Sequence, residues 1–269
     1  MYHLKYKSYK KSVTYEGNLY QRERLSADEV HELLKKYNAW YLRSIYDFDK
    51  LDHGDMWHII IDHPIEIDEL PSKSTRKNLR KSLSVYEYKI VDKDEILRCG
   101  YRLFCERSVR LGIKPTLSEG EFVEYVDMVF EEGGDFWIGY DKESGEPAMW
   151  ESIIVFDDNA VMARESLSYR YTKHNPTYGL NYSIVNYYLR DRGFLYVDAG
   201  AKSLSEHSNV QDFLVEKLQF RRAYCKCQAY FQPWLRLLLS LIYPFRRLAK
   251  PGSMLYSLLA LYQLSISDR

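Results

Sequence analysis

Hydrophobic positions change period along this chain, and each change marks an element. From Ala160, the positions Val161, Ala163, Glu165, Leu167 and Tyr169 alternate with their neighbours, as a half-buried strand does. A loop with Pro176 and Gly179 follows, and Ile184, Val185, Tyr188 and Leu189 then recur at helical spacing until Gly193. Residues 194–200, FLYVDAG, read as the next strand. A loop opening into a helix N-terminus turns free amides outward, and with the helix dipole these suit an anion such as a phosphate. The amides in question belong to Thr177, Tyr178, Gly179, Leu180 and Asn181.

The same reading predicts a helix over 26–37, with Ser26 and Glu29 as a capping box. Strands are expected over 57–61 and 85–91. Asp92 caps a helix running to Gly112, and a second helix spans 119–130. Strands over 136–140 and 148–156 form a hairpin through KESGEP, so three strands make a meander ahead of the loop. A helix near 210–218 and a strand near 222–231 close the pattern. Strands alternating with helices, then a meander, imply an α/β protein of the α+β mixed-sheet kind, with helices on the sheet's faces. The tail from Pro233 is apolar with arginines at its ends and a break at Pro244. Its uninterrupted apolar run is far shorter than the roughly 20 residues a bilayer span takes. A helix packed on the sheet or on a second subunit, an interfacial membrane helix and a partner-protein site all fit it. The expected division is 1–56, 57–232 and a helical tail, 233–269.

Composition adds a little. Of 269 residues, 46% are hydrophobic, enough for a substantial core, and 38 basic residues balance 38 acidic ones. That balance argues against nucleic-acid binding by overall charge, though not against a local basic groove. The 25 tyrosines suit strands and clefts. Cys99, Cys105, Cys225 and Cys227 lack the spacing of a zinc knuckle and read as separate reduced thiols, with no metal expected. The opening MYHLKYKSYKK does not read as a secretory leader, so the expected location is the cytoplasm, with the membrane periphery as the variant. His174 and His207 read as surface histidines.

The order of these elements resembles a known family. Strand WHIIID, a basic helix with Arg76, Lys77, Asn78, Arg80 and Lys81, strand YEYKIV, two helices, a hairpin, then the loop, helix and FLYVDAG are similar to the GNAT-superfamily N-acyltransferase fold. The branch resembled is that of Fem-type peptidoglycan aminoacyltransferases and their acetyltransferase-like relatives. Gly193, Tyr196, Asp198 and Gly200 match its late strand, and Phe213 and Lys217 its following helix. The resemblance covers residues 57–233. It implies a GNAT-like twisted mixed sheet flanked by helices and ending in the apolar helical tail, with 1–56 as a reduced second half or an extension of the sheet. It also implies acyl transfer to an amine of a sugar, peptide or cell-envelope precursor. The donor would be acyl-CoA or, since the loop has only one glycine, aminoacyl-tRNA.

Acyl transfer needs a positioned carbonyl, a proton acceptor and an oxyanion stabiliser. Glu165, on an otherwise largely apolar strand face, is the expected base, with a raised pKa. Asp198 ends its strand and is the second catalytic candidate. Tyr169 could supply an acid, while Tyr171 and Tyr178 could line a pocket. Arg76 and Arg80 share a helix face at i, i+4 and suit an anionic acceptor or a tRNA backbone. Contact with a membrane surface, or a homodimer, through the tail completes the partner expectations. A GNAT-fold protein that binds without catalysis, through a tyrosine-rich cleft and the tail, is the competing reading.

Overall fold

A computed structural model describes residues 5–9, 11–54, 56–110, 112, 114–203, 209–250 and 252–267. His207 lies outside the described residues. In chain order the elements are β1 (Lys5–Tyr9), β2 (Ser12–Glu16), α1 (Ala27–Lys36), β3 (Tyr41–Leu51), β4 (Met56–Ile61), α2 (Lys73–Val85), β5 (Tyr86–Val91), α3 (Lys93–Arg110) and α4 (Glu119–Glu131). There follow β6 (Asp135–Asp141), β7 (Pro147–Val155), β8 (Asn159–Leu167), α5 (Pro176–Asn186), β9 (Tyr196–Ala201), α6 (Asn209–Leu218), β10 (Arg221–Phe231), α7 (Pro233–Ile242) and α8 (Met254–Ser267). The fold is the expected mixed α/β arrangement, with parallel and antiparallel pairing flanked by helices.

The chain forms two compact units, and they do not follow chain order. The first comprises Met1–His58, Ala201–Asn209 and Arg222–Arg269, and the second Ile59–Gly200 and Val210–Arg221. These bounds differ from the expected 1–56, 57–232 and 233–269. The reason is strand pairing. β10 runs antiparallel to β3, with Cys227 opposite Ile45 and Phe231 opposite Tyr41, so the late strand and the tail join the N-terminal segment. In that first unit the strand order is β1-β2-β3-β10. Val13, Val30, Leu34 and Leu42 form its core under α1, whose Ser26–Glu29 capping box is present as expected. Leu235 and Leu239 of α7 pack with Leu258, Leu259 and Tyr262 of α8 and with Tyr41 and Phe231.

In the second unit the order is β4-β9-β8-β7-β6-β5. The β5–β8 meander is antiparallel and β9 is parallel to β8. Alternation along the strands gives the meander two faces. One carries Phe136, Ile138 and Trp150 and packs on Leu103 and Phe104 of α3 and on Phe122 and Val126 of α4. Each large apolar side chain buried there contributes about 1.5–3 kcal/mol. The other face carries Tyr88, Trp137, Gly139, Glu151 and Glu165 and lies toward α5, which packs on β5, β6 and β7.

Candidate active site

The α5 face is where this unit leaves polar groups without partners. Register places Trp137 opposite Glu151, and Glu151 opposite Glu165, so two carboxylates stand side by side on neighbouring strands. Like charges directly opposite are unfavourable, and burial makes them worse. Glu151 is only 4% exposed. Burial, and then the Glu165 carboxylate beside it, push the Glu151 carboxyl well above its usual range, so it keeps its proton to higher pH. Its Oε2 has no hydrogen-bond partner among the described residues; nor do the buried Nε1 of Trp137 or Oδ1 of Asn181. Trp137 also meets the ring of Tyr187 edge-on at 5.4 Å, in the π-helical turn Tyr187–Asp191 that continues α5.

Beside this row, β8 and β9 separate. They pair only at Asn159–Tyr196, Ala160–Val197 and Val161–Asp198, although β8 runs on to Leu167. Asp198 therefore stands where pairing stops. It is buried, and its Oδ1 accepts the Gly200 amide at 2.7 Å, a bond between two residues of the same strand. Glu165 lies further along β8, beyond the last β8–β9 pair. The expected one-face set of Val161, Ala163, Glu165, Leu167 and Tyr169 is broken by a bulge. Ser152 pairs with Arg164 but Ile153 pairs with Met162, so Ala163 is an extra residue and the faces switch there.

Two further expectations change at the end of β8. Tyr169 and Tyr171 are not strand residues. Ser168 caps a 3₁₀ turn over Tyr169–His174 by accepting the Arg170 amide. Tyr169 is 52% exposed, with the Arg170 guanidinium 5.8 Å from its ring centre. Tyr171 is half-buried against Tyr86, whose hydroxyl donates to the Tyr171 carbonyl at 2.8 Å.

α5 begins five residues earlier than Asn181, at Pro176, whose missing N–H and fixed φ suit the first helical position. Asn175 precedes it in the left-handed region. Thr177 to Asn181 are therefore helical, and Gly179, Leu180 and Asn181 are buried. The Tyr178 amide donates to the Asn175 carbonyl at 3.1 Å, and the Gly179 amide to Ser82 Oγ of α2 at 3.2 Å. Tyr88 closes the same end, donating to the Pro176 carbonyl at 2.8 Å. Its ring lies 2.3 Å from where a Gly179 Cβ would stand, so only glycine admits this approach. Tyr178 meets Phe213 of α6 edge-on at 4.9 Å. The helix start is thus latched to α2 and β5 by the protein's own groups.

The basic helix is α2, with Ser72 as its cap. Arg76 donates to the Leu70 carbonyl at 2.5 Å and Arg80 pairs with Asp68, so both arginines hold the segment that precedes their helix. Lys77 and Lys81 stay exposed. Cys99, Cys105, Cys225 and Cys227 are free thiols, and among the described residues no group of His, Cys, Asp and Glu is placed to hold a metal.

Glu151 is the group that sequence reasoning passed over. Its signal was present: one carboxylate inside the apolar run AMWESIIV.

No protein-family model matches the sequence, and no curated protein matches it. The fold does have solved counterparts. The crystal structure of FemX superposes with a TM-score of 0.59 at 14% identity, over 80% of this chain and 77% of that one. The C-terminal domain of a putative lysylphosphatidylglycerol synthetase from Agrobacterium fabrum superposes with a TM-score of 0.51 at 10% identity, over 88% and 84% of the two chains. The chain has a GNAT-like fold close to that of the Fem-type proteins.

Proposed function

We propose that the protein is an acyl- or aminoacyltransferase, moving an acyl group from an activated carrier to an amine. The observation that carries this reading is the Glu151–Glu165 pair, set beside the point where β8 and β9 part. A buried carboxyl that keeps its proton beside a second carboxyl lets the two divide acid and base work. In the proposed step the acceptor amine attacks the donor carbonyl, and Glu165 takes the proton released from nitrogen. The buried, protonated Glu151 holds the neighbouring position, so that the pair carries one negative charge instead of two. The carbonyl–carrier bond then breaks, and the carrier leaves with a proton returned through the pair. Asp198 contributes by holding the Gly200 amide, which fixes the end of β9 beside the gap.

Acyl-CoA and aminoacyl-tRNA are the donor classes the reading allows. An acceptor among cell-envelope precursors belongs to this reading, and the name of the putative lysylphosphatidylglycerol synthetase, which points to a phospholipid, supports it. Since the amides of Tyr178 and Gly179 are engaged, the donor's phosphates need other partners. The exposed Lys77 and Lys81 of α2 suit that role.

Calorimetric titration with acetyl-CoA, longer acyl-CoA species and aminoacyl-tRNA tests donor binding. Once a donor is found, Glu165→Gln is expected to lower turnover about 10²-fold. Unchanged turnover removes Glu165 as the base. The second reading, a GNAT-fold protein that binds a partner without catalysis, is favoured by the latched start of α5. Absence of heat with every donor selects it.

A further inference from the structure

The segment 233–267 combines three properties. It carries four cations, Arg236, Arg246, Arg247 and Lys250, and no carboxylate. None of the four has an acidic partner among the described residues; Arg246 instead lies 4.5 Å from the ring centre of Tyr243. The segment also holds most of the exposed large apolar side chains among the described residues. α7 is apolar on two sides: Leu235 and Leu239 are buried against α8, while Trp234, Leu237, Leu238 and Leu241 face outward. Leu237 is 63% exposed and Leu241 66%, and Leu248, beyond the Pro244 break, is 83% exposed. At helical spacing the outward four share one stripe, leaving Arg236 and Ser240 on a narrow polar strip.

A stripe of this kind on a soluble surface marks an interaction site. Its flanking charge selects the partner. A second copy joined by a two-fold axis would bring the same patch against itself, cation against cation, with no carboxylate in the segment to answer them. An anionic bilayer surface answers both features. Apolar side chains enter the boundary between headgroups and acyl chains, a tryptophan sits at headgroup level, and Arg246, Arg247 and Lys250 meet lipid phosphates. No helix among the described residues is long and apolar enough to cross a membrane, so the contact is interfacial. We propose that α7 and the basic turn after it form an in-plane docking surface for an anionic phospholipid membrane.

The test is flotation of the full chain with two vesicle types, phosphatidylcholine alone and phosphatidylcholine mixed equally with phosphatidylglycerol. Flotation is expected with the anionic vesicles, weakening as salt is raised. Arg246→Glu combined with Arg247→Glu should weaken binding at least about tenfold. Leu237→Glu combined with Leu241→Glu should abolish it while the melting curve stays unchanged, since both side chains already face solvent. Should that pair fail to fold, the difference in emission between the parent and Trp234→Phe serves instead: a blue shift of that difference on adding anionic vesicles supports insertion, and an unshifted one overturns it. Failure to float with anionic vesicles also overturns the proposal, as does a dimer in sedimentation velocity that Leu237→Glu dissociates.

Discussion

The two faces of the β6–β7–β8 meander are built from alternate residues of the same strands, yet they follow different rules. Toward α3 and α4, the polar side chains at the centre of the apolar layer have partners. Trp150 Nε1 donates to the Gly100 carbonyl at 2.9 Å, Ser166 to the Leu103 carbonyl at 3.0 Å, and Ser152 bonds Tyr125 and the Arg164 carbonyl. Aromatic rings interlock around them: Phe122 and Phe136 each lie 5.8 Å from Trp150. Toward α5, one oxygen of a buried carboxyl, an indole N–H and an amide oxygen lack partners among the described residues. Buried polar groups cost about 1–3 kcal/mol each when unsatisfied. One face is arranged for stability, while the other tolerates instability where chemistry is proposed.

The largest expected effect breaks the first face. Trp150→Ala should lower unfolding free energy by about 3–5 kcal/mol, read by denaturant titration, because it empties the centre of the aromatic layer. A loss below about 1 kcal/mol would mean that the layer is not the core. Next is the latch on the second face. Gly179→Ala sits inside a helix, where alanine ordinarily gains about 1 kcal/mol. Here the added methyl meets the Tyr88 ring, so a net loss of about 1–3 kcal/mol is expected. In a Tyr88→Leu background the same change should cost less, and an additive double-mutant cycle would rule out the contact.

The smallest effect sharpens the contrast most. Folding raises the proton affinity of Glu151 above its ordinary 4.5, so above that pH the folded state binds more protons than the unfolded chain. The stability tied to this group is complete below about 4.5 and is lost as pH climbs through the folded value. Glu151→Gln should therefore be more stable than the parent near pH 8, by about 1 kcal/mol, with the gap closing toward pH 4.5. A gap that widens on acidification would reverse the assignment.

Most of the architecture could be read from the chain because strand and helix periods are strong there: α1, α3, α4, β6, β7 and the Ser26–Glu29 cap lie where pattern and capping chemistry put them. The N-terminal strands were hidden, since β1 and β2 are only five residues each and the long partner of β3, β10, lies far away in sequence. The site was less legible for local reasons. One bulged residue, Ala163, reverses alternation within β8, and a period-two reading has no means of seeing it. Pro176 and Gly179 look like loop residues, yet proline suits a first helical turn, and the glycine is required by Tyr88 rather than by a turn. Glu151 was visible as an oddity in an apolar run, but only register shows that Glu165 is its neighbour.

The pairing of β3 with β10 also sets a timetable for synthesis. The meander and its helices can assemble as soon as they leave the ribosome, because their partners are near in sequence. β3 has no such fortune: its second edge stays bare until residues 221–231 have been translated. A nascent chain stalled before that point would display an open strand edge, the kind of surface that holding chaperones cover and that neighbouring chains on a polysome can wrongly extend.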